Sequence, residues 1–230
     1  MIQKSNAIKR ATTGLAGAVA IAGGTSAYAQ IITVATPADF IIAAGTATTS
    51  VNWDVNGDGI SDFTFNYRYP NTAAGNGVIW QANMNPFAGS AATNGIISYA
   101  GAFVRYGTPL TLGTSIGTGG AFSVTTQVTL GSRYLTGGVP RYYGGFANGV
   151  APGTQRYAGF RFVDNVGATH YGWILLSVSA GSIDFVSAAY QATANTAILA
   201  GAVPEPGTMA ALALGAVGVL GAVVRRRRQA

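Results

Sequence analysis

The chain contains no cysteine, a single histidine at His170, and charged side chains at only 9 % of its positions. Without cysteine there is no disulfide framework, no thiolate metal site and no thiol nucleophile. With one histidine, a histidine-rich metal site and most triads with a histidine base lack material. Lysine occurs only at Lys4 and Lys9 and glutamate only at Glu205, so residues 30–203 carry six arginines against six aspartates. That stretch is neutral, and the net charge of +6 comes from the two ends of the chain. The basic balance is therefore no argument for a nucleic-acid partner, and none is expected. Any glycosidase-like pair of carboxylates would have to be drawn from aspartates.

What is present begins with the ends. "MIQKSNAIKR" places Lys4, Lys9 and Arg10 before the mildly apolar "ATTGLAGAVAIAGG", and "AYAQ" follows with Ala27 and Ala29 at small-residue positions. That order of segments is a secretory signal peptide over residues 1–29, cut between Ala29 and Gln30. At the other end, Met209–Val224 is sixteen residues without a charged or polar side chain. As a helix it would span roughly 24 Å, a little short of the ~30 Å hydrocarbon core. Snorkelling arginine stems and local thinning cover the difference. Residues 208–224 are thus expected to be a transmembrane helix, with Gly215, Gly218 and Gly221 forming a small-residue face. A buried core helix is the alternative, but Arg225, Arg226, Arg227 and Arg228 follow at once with only Gln229 and Ala230 after them. The arginines stop transfer on the cytoplasmic side and leave the body exported.

Ahead of that helix stands Pro204-Glu205-Pro206, whose prolines lack backbone donors and keep the segment extended and accessible. The segment "VPEPGTMAALALGAVGVLGAVVRRRR" resembles the PEP-CTERM sorting signal of Gram-negative bacteria, in which the tripeptide, a short hydrophobic helix and a basic cluster follow in order. The resemblance implies recognition by an exosortase, a membrane-embedded cysteine transpeptidase that cleaves near the tripeptide. It also implies an inner-membrane-anchored precursor that passes to the cell surface or to an extracellular, exopolysaccharide-rich biofilm matrix. More loosely, "AGFRFVDNVGATHYGWILLSVSAGSIDFVSAAYQATANTAILAGAVPEP" and "WDVNGDGISDF" resemble segments of matrix proteins that bear this signal. That family defines no enzymatic activity for such bodies.

Three parts follow: the signal peptide 1–29, an exported domain 30–202 and a sorting segment 203–230. The middle part is long enough for one domain with a sizeable core. Phe63–Tyr69 alternates aromatic with polar residues, as Phe122–Leu130 does in part, and Tyr157–Phe162 puts Ala158, Phe160 and Phe162 on one face. "HYGWILLSVS" is apolar on both faces, as a central strand would be. Glycine- and asparagine-rich breaks such as "GTGG", "TGGVP" and "NGVAPG" separate these runs. The fold class expected is all-β, an antiparallel β-sandwich or jelly-roll-like body. One short helical piece is expected near Pro37–Ala44.

One stretch concentrates chemistry. In "WDVNGDGISDF", Asp54, Asn56, Asp58 and Asp62 stand at positions 1, 3, 5 and 9, with Gly59 at the turn and the Ile60 carbonyl at position 7. Calcium wants six to eight hard oxygens, and a tight loop supplies them from alternate residues. Position 12 is Phe65 rather than glutamate, and the flanks read as strands, so this is no helix–loop–helix motif. A structural calcium pinning the loop is one reading. An Asn/Asp/Gly turn without metal is the other.

His170 reads as a packed or surface histidine. Asp164 and Asp184 flank the Trp173 strand and read as turn caps rather than a catalytic pair. Trp80, Tyr142 and Tyr143 form a possible sugar-stacking set if exposed, although core packing accounts for such residues equally well. The reading is a non-enzymatic exported protein of the cell envelope or matrix; a carbohydrate-binding or adhesive module on exopolysaccharide is the alternative. A polysaccharide lyase or hydrolase ranks last, for want of acid/base residues.

Overall fold

The computed structural model describes residues 30–70, 76–89, 93–124 and 127–204. The expected signal peptide 1–29, Glu205, Pro206, the apolar stretch 208–224 and Arg225–Arg228 lie outside the described residues. Among the described residues there is no helix, and so none long and apolar enough to cross a membrane.

The fold is all-β. In chain order the strands are β1 (Ile31–Val34), β2 (Phe40–Ile41), β3 (Thr46–Trp53), β4 (Phe63–Tyr69), β5 (Gly77–Pro86), β6 (Gly95–Ala100), β7 (Arg105–Gly107) and β8 (Pro109–Leu110). They continue as β9 (Ser115–Ile116), β10 (Phe122–Ser123), β11 (Val128–Thr136), β12 (Val139–Tyr143), β13 (Arg156–Val163), β14 (Thr169–Ser179), β15 (Ser182–Gln191) and β16 (Ile198–Leu199). One large sheet follows the hydrogen-bonded order β1-β15-β14-β13-β6-β7-β11-β5-β4-β3, with β10 on β6, β12 on β11, β2 on β15 and β8 on β13. The pair β16-β9 stands apart from it. The sheet is mixed where the sequence reads as antiparallel, because β7 runs parallel to β11. The edge of β11 is shared: β7 takes Val128 and Thr129, and β12 takes Ser132 to Thr136.

Alternation decides which side of each strand is buried. In β4, Phe63, Phe65 and Tyr67 are fully buried while Thr64, Asn66 and Arg68 face the other way. β14 is apolar on both faces because each face has its own core. Ile174, Leu176 and Val178 join the main cluster, whereas Tyr171 and Trp173 pack with Ile116, Ala189 and Ile198 in a second one. Ring contacts of 5.4 Å between Phe63 and Phe160 and 4.7 Å between Phe65 and Phe185 join β4 to β13 and β15. Those strands are far apart in the hydrogen-bonded order, so the two ends of the sheet lie against each other across the main core. The Tyr67 hydroxyl closes the same gap, donating to the Ser179 carbonyl at 2.6 Å and accepting from the Gly181 N–H at 2.7 Å.

Two local expectations are corrected. Pro37–Ala44 is not helical: Phe40 is drawn into the core as part of β2, and the Asp39 carboxylate accepts the Phe185 N–H at 2.7 Å. Phe122–Leu130 is not one strand, since β10 ends at Ser123 and β11 begins at Val128. The "TGG" break is a two-residue hairpin turn between β11 and β12, with Gly137 and Gly138 at φ +58° and +78°, the left-handed geometry that glycine accepts freely. After β15 the chain stays fastened: Ala200 N–H donates to the Thr114 carbonyl at 2.8 Å and the Trp173 indole to the Ala202 carbonyl at 3.1 Å.

Candidate functional site

The aspartate-rich loop connects β3 to β4, and the two strands hold its ends together through the Trp53–Phe63 pairing. Within it, Asp54 folds back on its own backbone. One carboxylate oxygen accepts the Gly57 and Asp58 N–H groups at 2.8 and 3.3 Å, and the other accepts Gly59 N–H at 2.7 Å. Gly57 and Gly59 take φ of +75° and +88°, which lets three successive amides converge on that carboxylate. Asp58 accepts the Ile60 N–H at 2.8 Å through Oδ1 and the Asn56 Nδ2 at 3.0 Å through Oδ2. The Ile60 side chain is exposed.

Asp62 differs from the other two aspartates. It is 5 % exposed, accepting the Val55 N–H at 3.0 Å and the Asn94 Nδ2 at 3.1 Å. Desolvation pushes its pKa up to about 6 against these two hydrogen bonds, and the charges of Asp54 and Asp58 push the same way. The five predicted positions thus share one turn. Even so, no three His, Cys, Asp or Glu side chains among the described residues are gathered as a metal centre would gather them. The oxygens of Asp54, Asn56, Asp58 and Asp62 suit a hard cation chemically, but most are here spent on amides.

The other predicted residues separate. His170 is buried: Nδ1 lies 2.9 Å from the Gln191 carbonyl and Nε2 3.2 Å from the Asp164 carboxylate, with the ring against Phe162 and Tyr190. Asp164 caps the β13–β14 turn by accepting Ala168 and Val166 N–H at 2.8 and 3.1 Å; these bonds, with that to His170, hold its pKa below the ordinary value. Asp184 accepts the hydroxyls of Ser177 and Ser182 at 3.0 and 3.3 Å. Asp164 and Asp184 lie at opposite ends of β14 and do not face each other.

Trp80 is corrected as a surface residue. It is 2 % exposed and stacks on Tyr67 within the main core, because β5 turns it to the same side as Ala82 and Met84. Tyr142 and Tyr143 are exposed, on opposite faces of β12. Asn94 was not among the residues singled out from the sequence. It is fully buried, donating to the Asp62 carboxylate and carbonyl and accepting the Val163 N–H. Also missed were the polar side chains of "FTFNYRY" and "WQANMNP", where Asn66, Arg68, Gln81, Asn83 and Asn85 recur at every second position. That period of two was the available signal.

Among families, the PEP-CTERM protein-sorting motif matches residues 202–228. No curated protein and no solved structure matches the chain.

Proposed function

Because the chain carries the sorting signal of an exported PEP-CTERM protein handled by an exosortase, we propose that its body is a non-enzymatic component of the cell surface or biofilm matrix. The body is a β-sandwich in this reading, its two halves closed by the Phe63–Phe160 and Phe65–Phe185 contacts. The observation that carries the reading is the motif at residues 202–228, which begins just after β16, the last strand among the described residues. The commitment of Asp164 to a turn and of His170 to the core supports a structural rather than catalytic use of both. Intact mass of the protein recovered from its own cells tests it. A product from Gln30 to about Pro206 that disappears when the exosortase is deleted is the expected result. A mass retaining Met209–Ala230 in both strains would make it a permanent membrane protein instead.

Calcium is the structural ion of this reading, held by Asp54, Asn56, Asp58, the Ile60 carbonyl and Asp62. The charges of Asp54 and Asp58, which both act to raise the pKa of Asp62, support it, since a divalent cation offsets such repulsion. Calorimetric titration showing no calcium affinity, with a melting temperature indifferent to EDTA, would remove the ion from the reading.

A further inference from the structure

We propose that the polar face of β3, β4, β5 and β11, continued by Tyr99, Tyr106 and Tyr143, is a binding surface for an extended, hydroxyl-rich polysaccharide. Residues opposite each other in paired strands project to the same side of a sheet. Ser50, Asn66, Asn83, Thr129, Tyr106 and Tyr99 stand opposite one another in succession, forming one row across six strands. At about 4.8 Å between strands the row is roughly 24 Å long. Beside it, Arg68, Gln81, Ser132 and Tyr143 form a second row. A β-bulge at Leu130 lets Thr129 and Ser132 share this face although they are three residues apart.

The amide end of the rows is a groove of about 410 Å³ whose lining is polar throughout. Its side chains are fixed before any ligand arrives. The Gln81 carbonyl accepts Arg68 Nε and Nη2 at 3.0 and 2.6 Å, and the Gln81 amide donates to Asn83 and Thr129 at 3.1 Å each. Thr129 donates to Asn83 Oδ1 at 2.9 Å, Ser50 to Asn66 Oδ1 at 2.6 Å, and the Val128 N–H to Asn85 Oδ1 at 3.1 Å. The side-chain oxygens of Asn66, Asn83 and Asn85 are therefore occupied, and all three amides line the groove. Ser132 Oγ is buried without a partner among the described residues. Leaving that hydroxyl unpaired is unfavourable, and amides already oriented by their own hydrogen bonds suit the hydroxyls of a sugar.

The tyrosine end supplies the complementary half. Tyr99 and Tyr143 are 45 % and 39 % exposed; Tyr99 packs on Tyr106 at 5.6 Å and Tyr143 meets Tyr134 edge-on at 5.8 Å. A sugar ring presents an apolar C–H face to such rings and hydroxyls at its edge to amides, and a polymer can use both along one row. The groove lining includes Arg68 and no carboxylate, so acidic as well as neutral sugars are accepted. The choice of polysaccharide as ligand rests on the reading of the body as a matrix component; the site rests on the sheet alone.

Affinity electrophoresis of the purified protein through gels holding a neutral glucan, a polyuronate, or exopolysaccharide from the same cells tests the surface. Retardation by at least one polymer is expected. Asn83→Ala and Tyr99→Ser should each weaken it about tenfold, while Tyr142→Ala on the opposite face leaves it unchanged. Tyr99 is exposed, so its variant serves if Asn83→Ala fails to fold. Arg68→Gln separates the sugar classes, lowering retardation in polyuronate more than in glucan if acidic sugar is the ligand. No retardation in any gel, or loss that follows Tyr142 rather than Tyr99, overturns the proposal. Because the assay does not depend on processing, its failure is distinguishable from failure of the sorting experiment.

Discussion

Asn94 fastens Asp62 twice, its Nδ2 donating to the carboxylate at 3.1 Å and to the main-chain carbonyl at 3.2 Å, while its own carbonyl accepts the Val163 N–H at 2.9 Å. One buried amide thus ties the aspartate loop to β13. Asn94→Ala should destabilise the protein by about 2–4 kcal/mol, since it takes one donor from a buried carboxylate and the acceptor from the part-buried Val163 N–H. Urea unfolding measures it. A loss under 1 kcal/mol would mean that the loop is held mainly by its own turn.

The raised pKa of Asp62 fixes a sign. A carboxyl that holds its proton up to about pH 6 when folded, against 3.8 as its ordinary value, favours the folded state below the lower value. That contribution, about 3 kcal/mol at most, is lost as pH rises from roughly 4 to 6 and is flat above. Without calcium, Asp62→Asn should therefore be neutral or mildly stabilising at pH 7.5 and should remove the slope between pH 4 and 6 in a urea series. A variant more than 2 kcal/mol less stable at pH 7.5 would show that the charge is wanted even in the absence of metal.

Calcium reverses that slope if it binds. The ion needs the ionised carboxylate, so uptake releases a proton and strengthens as pH passes 6. Excess calcium should raise the melting temperature more at pH 7.5 than at pH 5, and Asp62→Asn should abolish the difference. An equal gain at both pH values would place any bound ion away from Asp62.

Asp164 titrates with the opposite sign. Its carboxylate is favoured in the fold by the Ala168 N–H above all, so its contribution is present above the ordinary carboxyl value and lost as pH falls through the depressed one. Asp164→Ala should weaken the β13–β14 turn at pH 7 and flatten the acid end of the stability curve, as read from a urea series. Unchanged acid unfolding would show that His170 and the turn do not depend on the charge.

Gly172 lies in the middle of β14 where no side chain fits. An added Cβ would sit 2.3 Å from the Phe160 ring and 2.8 Å from the Ala189 carbonyl oxygen. Gly172→Ala should cost about 1–3 kcal/mol by forcing the ring and the β15 backbone apart. A thermal midpoint within a degree of the parent would contradict this packing.

How far the sequence discloses the molecule depends on how local each feature is. The alternation of Phe63, Phe65 and Tyr67 and the double apolar face of His170–Ser179 reappear as β4 and β14, because side-chain direction along a strand is a local property. The turn that joins Asp54 to Asp62 is local as well, since Gly57 and Gly59 carry the backbone reversal. Phe40 went astray because burial against Phe185, distant in the sequence, overrides a short helical pattern. Trp80 is misplaced because alternation separates two faces without saying which is exposed, and in β5 apolar Trp80, Ala82 and Met84 are buried alongside equally buried Gln81, Asn83 and Asn85. The row from Ser50 to Tyr99 is legible only once pairing is known, and the Leu130 bulge breaks the period of two that would otherwise align Thr129 with its neighbours.

The hydrogen bond from the Trp173 indole to the Ala202 carbonyl has a mechanical meaning. Only Val203 separates that anchor from Pro204, a reach of about 7 Å even if fully extended. Pro204, where the tripeptide begins, is therefore tied to the body with almost no slack. An enzyme that grips Pro204 on the folded body would have to meet that surface, and the second core around Trp173 would be the wall that sets how closely the two could approach.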